Sequence, residues 1–273
     1  MYVISKSSAS ALERPFVKMG ARVKFGAPEV PRFPQELRAV ALDVRSDRQG
    51  EYFLIRKRED VSVEVLEVKP AERHLVLLAR VPRFRGGETK SRFLLGHDER
   101  HWFVAAIPEE SPVSTVAAAK QALKPEAVTQ RETAIRAKIR NRRVNKARIR
   151  QGEWFFVPVS ALQVRAVRIL KNEPLRRGGG KPHVCQELYR EGGEMVYVHR
   201  QYPNGLTQAA YARLSEKVRT QPGWSRMVRN PRAFVRGTVR HSDHKTIFLE
   251  GWHEVFMNTE TRAAAMQNVA FLD

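Results

Sequence analysis

Between Arg131 and Arg150 the chain carries nine lysines and arginines (Arg131, Arg136, Lys138, Arg140, Arg142, Arg143, Lys146, Arg148 and Arg150) against one acid, Glu132. No proline or glycine interrupts the stretch. Thr129 followed by Glu132 has capping-box spacing, which predicts a helix start there. The apolar residues Ile135, Ile139, Val144 and Ile149 make too narrow a stripe for a buried helix. A helix this cationic repels itself along its length unless a polyanion neutralises it, and the simplest polyanion is a phosphate backbone. The feature names a class of partner and no reaction.

Composition sharpens that reading. The formal net charge is +20 over 273 residues. The excess is uneven: residues 1–120 hold 21 bases and 16 acids, residues 121–273 hold 28 and 13. Arginine outnumbers lysine 35 to 14, which suits forked phosphate contacts and base stacking, although genomic base composition produces the same bias. Anionic lipid and acidic protein are the other surfaces that fit such a charge. Hydrophobic residues are 42% of the chain, enough for a core. No apolar run is long enough to span a membrane, and residues 1–16 lack a hydrophobic leader and cleavage site, so a cytoplasmic protein is expected. A single cysteine, Cys185, excludes an internal disulfide and a cysteine-based zinc finger.

The punctuation of the chain predicts four parts. Residues 1–38, with Pro15, Pro28, Pro31 and Pro34, read as an extended N-terminal arm. Residues 39–112 read as a β-rich lobe with strands at 39–44, 52–56, 61–68, 74–81, 91–95 and 102–107. Residues 113–150 read as a helical basic connector, with Pro125 opening its second helix. Residues 151–273 read as a mixed α+β lobe, with strands at 154–157, 164–170, 195–200, 233–240 and 246–249. Helices are expected at 181–190 and 207–219. The fold class expected is α+β: two β-rich lobes joined by a helical, strongly basic segment. Residues 48–55 (RQGEYFLI) echo residues 150–157 (RQGEWFFV), which suits a duplicated module or chance.

Several constellations carry candidate chemistry. Arg176-Arg177-Gly178-Gly179-Gly180-Lys181-Pro182-His183 exposes backbone N–H groups beside three cations and suits a phosphate, without P-loop spacing. A flexible basic loop reads the same way. Two histidine pairs stand out, His97/His101 and His241/His244, with His253 further on. His241, His244 and His253 could ligate a divalent metal. Alternatively, His241 and His253 could act as base and acid on RNA, with Lys245 or Arg240 holding the phosphate. Turn and surface roles fit them equally. Tyr202 beside Arg200 could stack a base, whereas Tyr197 suits a core position. Beside His183 and Lys181, Cys185 could be activated, but a small buried residue fits its neighbours better. No RNP1, KH, zinc-finger, kinase or helicase signature is present.

The leading expectation is a nucleic-acid-binding protein, RNA favoured over DNA, in a ribonucleoprotein that supplies further protein partners. It grips phosphates through Arg131, Arg136, Lys138, Arg140, Arg142, Arg143, Lys146 and Arg148, with Arg176, Arg177, Lys181, Arg200 and Tyr202. This reading requires no cofactor. The alternative is a nuclease built on the His241/His244/His253 hairpin. A basic scaffold that docks on an acidic protein is the third reading.

Overall fold

The run Leu75–Ala79 is apolar at every position, which is what a strand covered on both faces requires. The computed structural model describes residues 6–27, 39–84, 86–176 and 181–262, and there this run is the middle of β5 (His74–Pro82). With β4 (Ser62–Lys69), β6 (Glu88–Asp98) and β7 (His101–Ile107) it forms an antiparallel sheet in the order β4-β5-β6-β7. Leu75, Leu77, Phe93 and Leu95 face Leu42, Phe53 and Ile55. Those three lie on β2 (Val40–Asp47) and β3 (Gly50–Lys57), which share a small sheet with β1 (Val23–Gly26). The opposite face, Val76, Leu94, Ala105 and Ile107, is covered by Val116 and Ala119 of α2 (Val116–Ala122).

The N-terminal stretch is not an extended arm where it is described. Residues Lys6–Lys18 form α1, although Pro15 lies inside it. Phe16 and Met19 are fully buried in the first core, with the Phe16 ring 5.6 Å from that of Phe53. Burying two large side chains contributes several kcal/mol, about 1.5–3 each, and offsets the hydrogen bond that proline cannot donate.

The second half is a seven-stranded antiparallel sheet. Its strands are β8 (Val144–Asn145), β9 (Arg148–Gln151), β10 (Trp154–Pro158), β11 (Leu170–Leu175), β12 (His183–Glu191), β16 (Arg232–Arg240) and β17 (Ile247–Met257). Their order is β11-β12-β16-β17-β10-β9-β8, and Trp154, Phe156, Leu188, Val235, Val239 and Leu249 form the core beneath. Between the neighbours β12 and β16 the chain makes an excursion. It holds β13 (Glu194–His199), β14 (Tyr202–Thr207), α5 (Gln208–Ala212), α6 (Glu216–Arg219) and β15 (Ser225–Arg229). Its three strands form a separate sheet in the order β14-β13-β15. Residues 181–190, expected as a helix, are therefore mostly strand, because His183, Cys185, Leu188 and Tyr189 are all buried in a paired sheet position. The single helix expected at 207–219 is two short ones.

The expected fold class is overturned. The protein is mostly β, 50% strand against 18% helix, with four sheets and six short helices among the described residues. Among the described residues no long basic helix joins two lobes. The cationic stretch is instead α3 (Glu126–Arg131), α4 (Ala137–Arg140) and the β8–β9 hairpin. The physical reason is Glu132, which is 1% exposed. Its carboxylate takes Lys124 Nζ at 2.5 Å, Arg148 Nε at 2.9 Å and Asn145 Nδ2 at 2.9 Å. One straight helix would hold Glu132 and Arg148 roughly 24 Å apart at 1.5 Å per residue. Folding back lets one buried acid neutralise two buried cations. Asn145 makes the reversal, its Oδ1 accepting the N–H groups of Ala147 and Arg148.

The sequence echo marks two hairpin corners in different sheets. Asp47 pairs with Gly50 across the β2–β3 turn, whereas Gln151 pairs with Trp154 across the β9–β10 turn, so the matching glycines sit in different registers. Both need the left-handed region, with φ of 102° at Gly50 and 57° at Gly152. Among the described residues no helix is long and apolar enough to cross a membrane.

Candidate functional site

Turns from three hairpins and the start of one strand converge on a single corner. Residues 241–246 connect β16 to β17, and His183 opens β12, whose Val184 pairs with Arg240 beside that turn. Gly152 lies in the β9–β10 turn, and Asp98-Glu99-Arg100 makes the β6–β7 turn. The two histidine-rich turns of the sequence, 97–101 and 241–244, thus face each other across the molecule's two halves. Arg150 Nη2 donates to Asp98 Oδ2 at 3.0 Å, and Lys245 N donates to Glu99 Oε2 at 2.6 Å. Arg143 forms a close ion pair with Glu99.

At the centre stand His183, His241 and His244. One ring nitrogen of each lies within 4.8 Å of the others. The His183 ring stacks on His241 at 4.2 Å, and His241 stacks on His244 at 4.7 Å. His183 is 1% exposed, yet neither of its ring nitrogens has a hydrogen-bond partner among the described residues. A buried polar atom left unpaired costs about 1–3 kcal/mol, so this arrangement calls for a reason. His244 Nδ1 faces Glu99 Oε2 at 3.5 Å, too long for a good hydrogen bond. A Cβ on Gly152 would lie 2.8 Å from His244 Nε2 and 3.4 Å from His183 Nε2, so glycine leaves that side of both rings open. Two further polar atoms nearby are unpaired: Gln151 Oε1, whose amide donates to Lys245 O at 2.7 Å, and Trp154 Nε1, on a ring edge-on to His183.

Burial favours the neutral form of His183 and His244. Burial, with His241 and His244 adding to it, pushes His183 down to about 3. Burial and then His241 lower His244, against the raising influence of Asp98 and Glu99. Burial would raise Asp243, but hydrogen bonds from Lys181 (2.9 Å) and Ser242 outweigh it and hold the carboxylate ionised. Neutral imidazoles offer lone pairs, the form that ligates metal or accepts a proton.

The structure separates His253 from this group. His253 pairs with Val235 on β16, six residues from His241, which is roughly 20 Å along a strand at 3.3 Å per residue. It is 6% exposed and its Nδ1 contacts Gly251 O at 3.1 Å. The triad of His241, His244 and His253 is therefore not assembled, and His183 takes the third place. Lys245 is exposed and contributes its backbone N–H to Glu99. From the sequence His183 reads as the end of the glycine loop and a neighbour of Cys185, not as a partner of His241 and His244, and Gly152 and Glu99 carry no site role. No short spacing connects residues 99, 152, 183 and 241, and only the sheet order does.

The cationic stretch divides into two sets. Arg148 is 2% exposed and bound to Glu132. Arg140 donates to Ile135 O, and Arg143 and Arg150 are turned to Glu99 and Asp98. These hold the fold. Arg131, Arg136, Lys138, Arg142 and Lys146 are exposed. In the proposed phosphate loop, Arg177 and residues 178–180 lie outside the described residues. Arg176 is exposed and Lys181 is paired with Asp243. Arg200 is exposed beside a shallow pocket lined by His199, Gln201, Pro222 and Gly223. The Tyr202 ring stacks on Trp224 at 5.6 Å, and Tyr197 on Tyr211 at 4.0 Å, inside the small module. Cys185 is fully buried, and burial pushes its thiol to about 12, which removes it as a nucleophile.

No protein-family model, curated protein or solved structure matches this chain.

Proposed function

We propose that the protein binds nucleic acid, holding phosphates with the outward cations of residues 131–146. One observation carries this reading. Arg136, Lys138, Arg142 and Lys146 are exposed within eleven residues, and none has a carboxylate partner among the described residues. Like charges crowded this closely repel, and phosphates relieve the repulsion while releasing counterions. The arginine-rich helix that favoured RNA is not formed, so RNA and DNA are both arms of the test. Changing these four residues to alanine should weaken binding to labelled strands of any sequence. It should also reduce the log–log salt slope by about three to four, near 0.9 per phosphate contact. An unchanged affinity and slope overturns the reading.

A second reading, hydrolysis of the bound strand, is favoured by the neighbouring arginines. Arg143 and Arg150 of the same stretch end on the acids that flank the histidine centre. In that reaction a water oxygen bonds to phosphorus and an ester P–O bond breaks. A neutral imidazole takes the water's proton and then, as the imidazolium so formed, hands it to the leaving oxygen. Sizing the same labelled strands after incubation decides it: intact strands leave binding alone.

A further inference from the structure

We propose that His183, His241 and His244 hold a divalent transition-metal ion of the zinc class. The inference goes beyond nucleic-acid binding and stands or falls without it. Its basis is geometric. Three imidazoles from two separate segments place one nitrogen each within 4.8 Å. His183 is buried and packed against other rings, but both its nitrogens are unpaired, so no hydrogen bond accounts for an imidazole at this core position. An ion at the centre gives one of those nitrogens its partner.

The surroundings fit the same ion. Metal-bound histidines commonly turn the other ring N–H to a carboxylate, which fixes the tautomer and raises the basicity of the ligand. His244 is placed for that arrangement without yet making the bond: Nδ1 faces Glu99 Oε2 at 3.5 Å while Nε2 lies beside the space that Gly152 leaves free. Imidazole sets favour zinc, copper, nickel or iron over magnesium and calcium, and zinc is the commonest with three histidines. Zinc–nitrogen bonds of about 2.0–2.1 Å place ligand nitrogens roughly 3.4 Å apart, so on loading the rings close by about an ångström and turn out of their stack to aim their lone pairs at one centre. His241 Nδ1 accepts the Asp243 N–H at 3.1 Å. Ligation through that atom exchanges this bond for the metal. Three protein ligands leave a fourth position for water or a substrate oxygen, the pattern of a catalytic rather than a purely structural site.

The test uses the full chain, stripped with chelator and titrated with Zn2+ or Co2+ alone. One equivalent should bind, Co2+ should give the visible absorption of a tetrahedral nitrogen site, and Zn2+ should raise the melting temperature. His183→Leu and His244→Ala should each abolish stoichiometric binding and the zinc-dependent rise. His183→Leu fills the same core position and keeps the fold testable by circular dichroism. Glu99→Gln should weaken affinity about tenfold to a hundredfold through the ring it faces. His253→Ala should bind like wild type. A wild-type chain that takes up neither ion stoichiometrically, or His183→Leu and His244→Ala chains that bind as wild type does, overturns the proposal.

Discussion

His74 and His183 are both buried strand histidines at the start of a strand, and both lie against a glycine. Their surroundings differ in one respect. His74 Nδ1 contacts the Glu72 carbonyl, and its ring lies edge-on to Phe103. A Cβ on Gly96, its partner across β5–β6, would sit 2.4 Å from the ring, so the glycine exists to make room for it. His183 meets two more imidazoles, with both nitrogens unpaired. Burial depresses both, His74 to about 4 and His183 to about 3. Depth and a depressed pKa therefore do not distinguish a packed histidine from a functional one. Unsatisfied nitrogens facing like groups do.

The largest expected effect tests what the two share. A histidine that is neutral when folded binds fewer protons than when unfolded, so stability falls as pH drops below the ordinary value of 6.5. For His74 the fall continues to about pH 4, where the folded ring also protonates. Its share is about 3 kcal/mol at 1.36 kcal/mol per unit. Urea unfolding at pH 7 and pH 4.5 should show His74→Gln losing markedly less stability than wild type. Superimposed pH profiles would break the shared half of the comparison.

A smaller effect tests the glycine. Gly96→Ala overpacks the His74 ring and should destabilise by about 2 kcal/mol. The double change Gly96→Ala with His74→Ala should recover most of it, since the clash needs both partners. If the two changes are additive, the glycine has another role.

The smallest effect tests the difference. With chelator present, His183→Leu removes two unpaired buried nitrogens and should be neutral or stabilising by about 1 kcal/mol. His74→Leu removes a satisfied group and should destabilise by a similar amount. Equal losses from both leucines, read as urea midpoints, would place His183 with the ordinary core.

Much of the β architecture was written in local pattern. The alternation and apolar runs of 39–107 locate the strands of the first half, because a residue's face in a strand depends only on its neighbours. The cation cluster at 131–150 was equally plain, but its conformation was not. Helix propensity and a capping-box spacing are local signals, whereas the turn at Asn145 and the burial of Arg148 answer to Lys124 and Glu132. Charges removed from water need a partner, and finding one outranks propensity.

The sequence by itself determined a basic chain with strand-rich halves, a single cysteine and histidines worth watching. Tertiary structure decided which histidines meet. The β16–β17 register carries His253 away from His241, the β12–β16 pairing brings His183 in, and the β6–β7 turn delivers Glu99 from the other half. Strand pairing is a long-range choice set by buried surface and hydrogen bonding over whole strands, and residues 99, 152, 183 and 241 share no period that a reading along the chain could detect.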